Sequence, residues 1–345
     1  MNAAIRAVDY VLPQEVLTTN DLAAKYPDWN VPKIDEQTGI HERHIAGPEE
    51  CASDLGAAAA EKLFSSGICQ RESIDYLLVC TQTPDYFLPT TACLLQDRLG
   101  LPRSTGALDF NLGSSGYVYG LGLAQGLIAS GQATSLLLIT ADTYSKIIHP
   151  ADRSVRTIFG DAATVTWITA ESSEQPSLGP FVYGTDGRGG QDLILRRGGF
   201  RNNRSADRAP EEHDSSGNIR SADHLYMNGL EIFSFVVRVA PRLVKDTLAK
   251  AGLSLEDIDL VIFHQANRMM LEHLRKSLRI PPEKVSIALA HCGNTATSSI
   301  PIALCEALRE NRVRPGSKVL LAGFGGGSSW AGTVLRWTQP VTGVG

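Results

Sequence analysis

Three groups that can act together in nucleophilic chemistry stand in this chain at the ends of apolar runs: a hydroxyl, an imidazole and a carboxamide. In "DFNLGSSGYVYGLGLAQGL", residues 109–127, Ser114 and Ser115 occupy a Gly-bounded bend between an apolar run and an apolar helical stretch. A serine in that place can cap the helix, because its hydroxyl accepts from an orphan backbone N–H. One serine suffices for a cap. The other stands where the free N–H groups and positive pole of a helix start favour an oxyanion or an anionic nucleophile. Cap and catalyst are equally good readings of the pair from this stretch alone.

"FHQAN" places His264 directly after an apolar run, at the carboxyl edge of what reads as a parallel strand, the usual place for ligands in open α/β sheets. "HCGNTATSSIP" adds Asn294 in a polar loop leading into a helix, with Thr295 as a candidate cap. "GFGGGSSW" adds three consecutive glycines, a backbone able to approach a ligand and aim N–H groups at it. Each stretch alone reads equally well as a turn. Together they put a hydroxyl, an imidazole, an amide and a glycine nest at four strand ends, which structure alone explains poorly.

The elements that must position these groups alternate. "YLLVCTQ", "ALDFNL", "SLLLITAD" and "ATVTWITA" read as buried strands separated by helical stretches, and "LVIFH", "KVLLAGFG" and "GTVLRW" repeat the rhythm later. A long amphipathic helix is expected over "LYMNGLEIFSFVVRVAPRLVKDTLAKAGL" and another over "SIPIALCEALREN". The class is α/β, two similar halves, residues 1–170 with the serine bend and residues 171–345 with His264 and Asn294. A polar, Gly- and Arg-rich insertion spans about 184–224.

Composition is that of a folded protein: 345 residues, 43% apolar and 20% charged. The net charge of −5 excludes a general nucleic-acid binder and leaves room for a local basic patch, Arg196, Arg197, Arg201, Arg204 and Arg208, toward phosphates or an acidic protein. No leader pattern and no apolar run of bilayer length is present, so a cytoplasmic protein without membrane contact is expected. The scattered cysteines read as reduced thiols, with no metal site.

Beyond these readings, the chain resembles the β-ketoacyl-acyl-carrier-protein synthase III family of thiolase-fold condensing enzymes, nearly end to end. "QTGIHERHI", "PTTACLLQDRLG" and "DRSVRTIFGDAATV" are similar to motifs of its first half, and "HQAN", "GNTATSSIP" and "GFGGGSSWAG" to those of its second. The resemblance implies a thiolase-like fold of two α/β halves stacked as five layers, αβαβα. It implies a Cys-His-Asn triad at Ser114, His264 and Asn294, an oxyanion hole from the N–H groups of Ser114 and Gly326, and Phe324 supporting decarboxylation. Asn267 matches a pantetheine contact, Arg153 and Arg268 fall at substrate-binding positions, and Leu88 stands where a partner subunit closes the acyl pocket. No bound cofactor is implied. The substrates would be acyl and malonyl thioesters of coenzyme A or of an acyl carrier protein, the partners that carrier protein and a second copy of the chain.

Serine stands where that family has cysteine. A thiol, with pKa near ~8.5, becomes a thiolate at a helix N-terminus, whereas an alkanol needs a base, which His264 could be. The serine is either a natural variant or a replaced cysteine. Lys33 and Gln37 stand where family members hold the coenzyme A adenine, Met269 stands at a carrier-docking basic position, and Leu88 replaces a Phe. Arg153 is retained at its coenzyme A position, so the donor is either coenzyme A or a carrier protein, which would avoid the nucleotide; the departures point more to a secondary-metabolism or surface-polysaccharide relative than to the initiator of fatty acids. Two rival readings remain: an acyltransferase that makes an ester or amide through an acyl-enzyme, and a non-catalytic subunit of the same fold.

Overall fold

The computed structural model describes residues 1–203, 207–215 and 217–339. Arg204 of the arginine-rich patch lies outside the described residues. Two sheets carry the architecture. The first contains β1 (Asn2–Val11), β2 (Tyr76–Cys80), β3 (Gly106–Phe110), β4 (Ser135–Asp142) and β5 (Ala162–Glu171), in the order β1-β5-β4-β2-β3. The second contains β6 (Leu178–Thr185), β7 (Leu260–Phe263), β8 (Lys318–Gly325) and β9 (Ser329–Arg336), in the order β7-β8-β9-β6.

Both sheets run antiparallel, antiparallel, parallel in the same spatial sequence, β1-β5-β4-β2 in one and β6-β9-β8-β7 in the other. Only the first sheet continues, to the parallel edge strand β3.

Six helices complete the layers: α1 (Ala52–Ser65), α2 (Thr91–Arg98), α3 (Gly116–Ala129), α4 (Gly229–Ala251), α5 (Arg268–Ser277) and α6 (Ser299–Arg309). Successive strand residues face opposite sides, so alternation tells which helices cover which face. Leu77, Val79, Leu137 and Ile139 pack outward with α1 and α2, whereas Leu78, Leu136 and Leu138 pack inward with α3 and α6. Leu260, Ile262, Val319 and Leu321 meet the same two helices from the second sheet. On its far side Val261, Phe263, Leu320 and Ala322 pack with α4 and α5. The result is five layers, αβαβα.

This sandwich explains the uninterrupted apolar runs: every residue of β4 is buried, because helices cover both faces. It also explains why α3 is apolar nearly all round, since most of it is packed between two sheets, with Leu123 the one large apolar side chain it exposes. The long helix is shorter than its apolar pattern predicts. Leu225–Met227 is a strand paired with Leu193–Leu195, and α4 starts only after Asn228, whose side chain accepts from the Glu231 N–H. The strand Leu225–Met227 happens to continue the helical spacing, which is why the periodicity misleads there. Among the described residues no helix is long and apolar enough to cross a membrane.

Candidate active site

Two loops of the second half and one bend of the first converge on a cavity of about 100 Å³ at the strand ends. The bend follows β3. Its Gly113 carbonyl accepts from the Gly116 N–H at 2.7 Å, a tight turn that swings the chain into α3. Position 116 needs glycine, since a β-carbon there would come within 2.4 Å of the Cys80 sulfur beneath it.

Neither serine caps α3 through its side chain. Ser115 occupies the cap position, yet its hydroxyl crosses to Ser329 in the other half, Oγ to Oγ 2.7 Å, and is fully buried. Ser114 is 9% exposed and lines the cavity. Among the described residues its Oγ makes no hydrogen bond, which leaves the hydroxyl available to a substrate.

The end of β8 comes against this bend at backbone distance. A β-carbon on Gly325 would lie 3.1 Å from Ser114 N, and one on Gly113 would lie 3.3 Å from Gly326 N. The absence of side chains therefore brings the N–H groups of Ser114 and Gly326 into one neighbourhood on the cavity wall. Phe324, on the same strand and 4% exposed, adds an aromatic face to that wall.

His264 leaves β7 with its N–H donating to Ala322 O at 2.9 Å, so the parallel neighbour β8 fixes where the ring emerges. Its Nδ1 lies 2.7 Å from Ser299 Oγ, the first residue of α6. Burial pushes the imidazole down to about 3, so the ring is neutral at physiological pH. Asn294 is held by the first half of the chain: its N–H donates to Ile158 O at 2.9 Å and its carbonyl accepts from Gly160 N–H at 3.1 Å. The side-chain Oδ1 accepts from Ala296 N–H at 3.0 Å, leaving the NH2 end as a donor.

Thr295, expected as a cap, does not cap: its Oγ1 is buried without a hydrogen-bond partner, and Asn294 takes the local backbone bond instead. Asn267 lines the cavity and caps α5, its Oδ1 accepting from Met270 N–H at 2.8 Å. Arg153, Arg268 and Leu88 are not brought to the cavity of the single chain. Arg153 opens a short helix, Arg153–Arg156. Arg268 is exposed and its side chain crosses Gly39, and Leu88 is 84% exposed.

Sequence reading missed a polar wall opposite these loops. Gln82 and Tyr144 both line the cavity, and the Tyr144 hydroxyl donates to Gln82 Oε1 at 2.5 Å. Behind them Asp142, fully buried, accepts from Gln82 N at 2.8 Å and from Thr297 Oγ1 at 2.5 Å. Burial outweighs these bonds and raises its carboxyl to about 6. The one available signal was position: Asp142 ends β4, and Gln82 follows two residues after the parallel neighbour β2.

Comparison with known proteins bears on this geometry. Over 337 residues the chain is 36% identical to the β-ketoacyl-[acyl-carrier-protein] synthase III of Caldanaerobacter subterraneus, covering 98% of each. The chain belongs to that family. Models of 3-oxoacyl-[acyl-carrier-protein] synthase III match residues 108–187, and of its C-terminal part residues 248–337. A crystal structure of a 3-oxoacyl-(acyl-carrier-protein) synthase III superposes with TM-score 0.96 at 50% identity, covering 98% of this chain and 100% of that one. The Burkholderia xenovorans synthase gives 0.90 at 36%, covering 98% and 95%. As a synthase III with the thiolase-like fold, the chain is a condensing acyltransferase.

Proposed function

We propose that this synthase III joins an acyl group to a malonyl unit, both delivered as carrier thioesters, with loss of carbon dioxide. Ser114 receives the acyl group first. Its hydroxyl adds to the thioester carbonyl, the N–H groups of Ser114 and Gly326 hold the oxyanion, and the departing thiolate takes the hydroxyl proton, leaving an ester. The malonyl thioester then occupies the same cavity. As its carboxylate leaves, the bonding electron pair moves onto the thioester oxygen, where His264 and Asn294 donate to the enolate. The Phe324 ring keeps water from that side. The enolate carbon attacks the Ser114 ester, the new carbon–carbon bond forms, and Oγ departs and regains a proton.

The observation that carries this reading is that Ser114, His264, Asn294 and Gly326 line one cavity, with the Ser114 hydroxyl and the Asn294 amide end free of hydrogen-bond partners among the described residues. Serine makes the first half slow, whether it is a natural variant or replaces a cysteine, because an alkanol stays un-ionised where a thiol would give a thiolate. Exposed Lys33 and Gln37 offer no aromatic clamp for a nucleotide, which favours a carrier-protein donor met by Arg268 and the described arginines of residues 196–208. Asn267 and Arg153 would then guide the phosphopantetheine arm. A homodimer fits the apolar edge: Leu108 on β3 is 43% exposed, and Tyr86, Phe87 and Leu88 stand out together. Across a two-fold axis Leu88 would reach the partner's acyl pocket.

The test is intact-mass spectrometry beside carbon dioxide release, with acyl and malonyl groups on coenzyme A and on carrier protein. A slow ester on Ser114, faster loading of Ser114→Cys and malonyl-dependent carbon dioxide release are expected. No adduct on either protein and no release would overturn the reading; acylation without a carbon–carbon product would assign plain acyl transfer.

A further inference from the structure

An imidazole 2.7 Å from a hydroxyl raises a question of protons: which of the two donates. Ser299 Oγ is 2% exposed, so the answer lies among protein groups. It has two neighbours, His264 Nδ1 at 2.7 Å and the Gln265 backbone N–H at 3.4 Å. An amide N–H can only donate, so it takes a lone pair of the Ser299 oxygen. Among the described residues no other acceptor is within reach of the hydroxyl proton, which leaves His264 Nδ1 as its one destination. A buried O–H with no acceptor forfeits the hydrogen bond it had in water, so the arrangement with Nδ1 accepting is preferred.

We propose that Ser299 is a positioning residue that holds His264 as the tautomer protonated at Nε2, so that the ring meets the substrate as a neutral N–H donor. The proposal rests on the condensing role given to His264 above and deepens it. Two consequences follow for the chemistry. An Nε2–H can stabilise an enolate oxygen at no reorganisation cost, because the donor is already aimed when the charge appears. The same nitrogen, carrying a proton, cannot accept the one on Ser114. A hydroxyl–imidazole base needs the opposite polarity, with an acceptor such as a carboxylate or carbonyl holding an Nδ1–H, and among the described residues the one partner of His264 Nδ1 is the Ser299 hydroxyl.

The position of Ser299 makes this control rigid. It is the first residue of α6, a helix buried between the two sheets, and it follows the loop that carries Asn294. One segment therefore supplies the carboxamide and sets the proton on the imidazole.

Nitrogen-15 NMR of the full chain labelled in histidine reads the tautomer directly, with His264 assigned from its loss in His264→Ala. A pyridine-type Nδ1 and a protonated Nε2 are expected in the parent protein. Ser299→Ala should give mixed tautomers and lower decarboxylation kcat by about 10–100-fold, the range for removing an outer bond that orients a histidine, with KM for the malonyl thioester unchanged. Ser299→Thr, which keeps the hydroxyl, should restore both the spectrum and the rate. A protonated Nδ1 in the parent overturns the proposal, as does a Ser299→Ala protein with unchanged tautomer. The parent spectrum decides even where Ser299→Ala fails to fold, and it does so independently of turnover: absence of carbon dioxide release would count against the condensing reading and leave the tautomer assignment standing.

Discussion

Ser115 and Ser329 share a 2.7 Å hydroxyl–hydroxyl bond that ties the nucleophile bend of the first half to the glycine turn of the second. Both are buried, at 0% and 3% exposure. Ser329→Ala leaves the Ser115 hydroxyl with a lost partner, at about 1–3 kcal/mol, whereas Ser115→Ala costs less because Ser329 Oγ keeps the Gly326 carbonyl at 3.4 Å. Removing both should cost less than the sum, so a double-mutant cycle by urea unfolding is expected to give a coupling of about 1 kcal/mol. Additive losses would mean that the two halves are not fastened here.

Asn294 depends on a glycine far from it in sequence. A β-carbon on Gly160 would lie 2.2 Å from the Cys292 carbonyl oxygen, and Gly160 N–H is the donor that anchors Asn294. Gly160→Ala should therefore push the Asn294 loop outward. A stability loss of about 1–3 kcal/mol is expected from overpacking, together with a fall in decarboxylation larger than the fall in acylation. Thermal unfolding and the two half-reaction assays check this, and a variant with parent-like decarboxylation would show that the loop tolerates the shift.

How legible this was depends on whether the information is local. Strands β2, β4, β7 and β8 could be read because burial on both faces makes them uniformly apolar. His264, Asn294 and the glycine turn could be read because polar residues at strand ends have few structural uses. The Ser115–Ser329 bond was hidden, since a hydroxyl that reaches 214 positions along the chain looks like a local helix cap. Ser299 was hidden for a similar reason, being one of several small residues at a helix start whose partner is fixed only when α6 slides between the sheets. Gln82 and Tyr144 carried no signal beyond their place just after two neighbouring strands, because their contact is made by tertiary packing alone.

Burial holds His264 near pKa 3, below its unfolded value of about 6.5. Between those values the unfolded chain binds a proton that the folded chain does not, so stability from this group is present above pH ~6.5 and is lost as pH falls below it. Decarboxylation should accordingly show no inflection near pH 6.5, because the donor form persists. Replacement by His264→Gln should flatten the pH dependence of the unfolding midpoint between about pH 5 and pH 7, where uptake of about one proton on unfolding separates the two proteins. A rate that falls with an apparent pKa near ~6.5 would mean that the imidazole is solvated and charged in the working enzyme.

Asn294 has two ends with separable duties. Its Oδ1 accepts from the N–H of Ala296, a residue held at φ +47° where only a fixed loop keeps a non-glycine residue, and its NH2 is free to donate into the cavity. Asn294→Ala removes both ends and is expected to lower decarboxylation by about 10²–10³-fold, as for loss of one oxyanion donor, while sparing acylation measured on Ser114→Cys. Loop disorder would produce a similar loss, so alanine alone is ambiguous. Asn294→Asp resolves it: the carboxylate keeps an acceptor for Ala296 N–H and preserves the loop, yet it offers the enolate no donor and adds a like charge. Its decarboxylation should fall at least as far as in Asn294→Ala, with the unfolding midpoint closer to that of the parent. Carbon dioxide release from a malonyl thioester and a thermal melt give both readouts. Should Asn294→Asp decarboxylate at the parent rate, enolate stabilisation by this residue is wrong, and plain acyl transfer becomes the better account of the cavity.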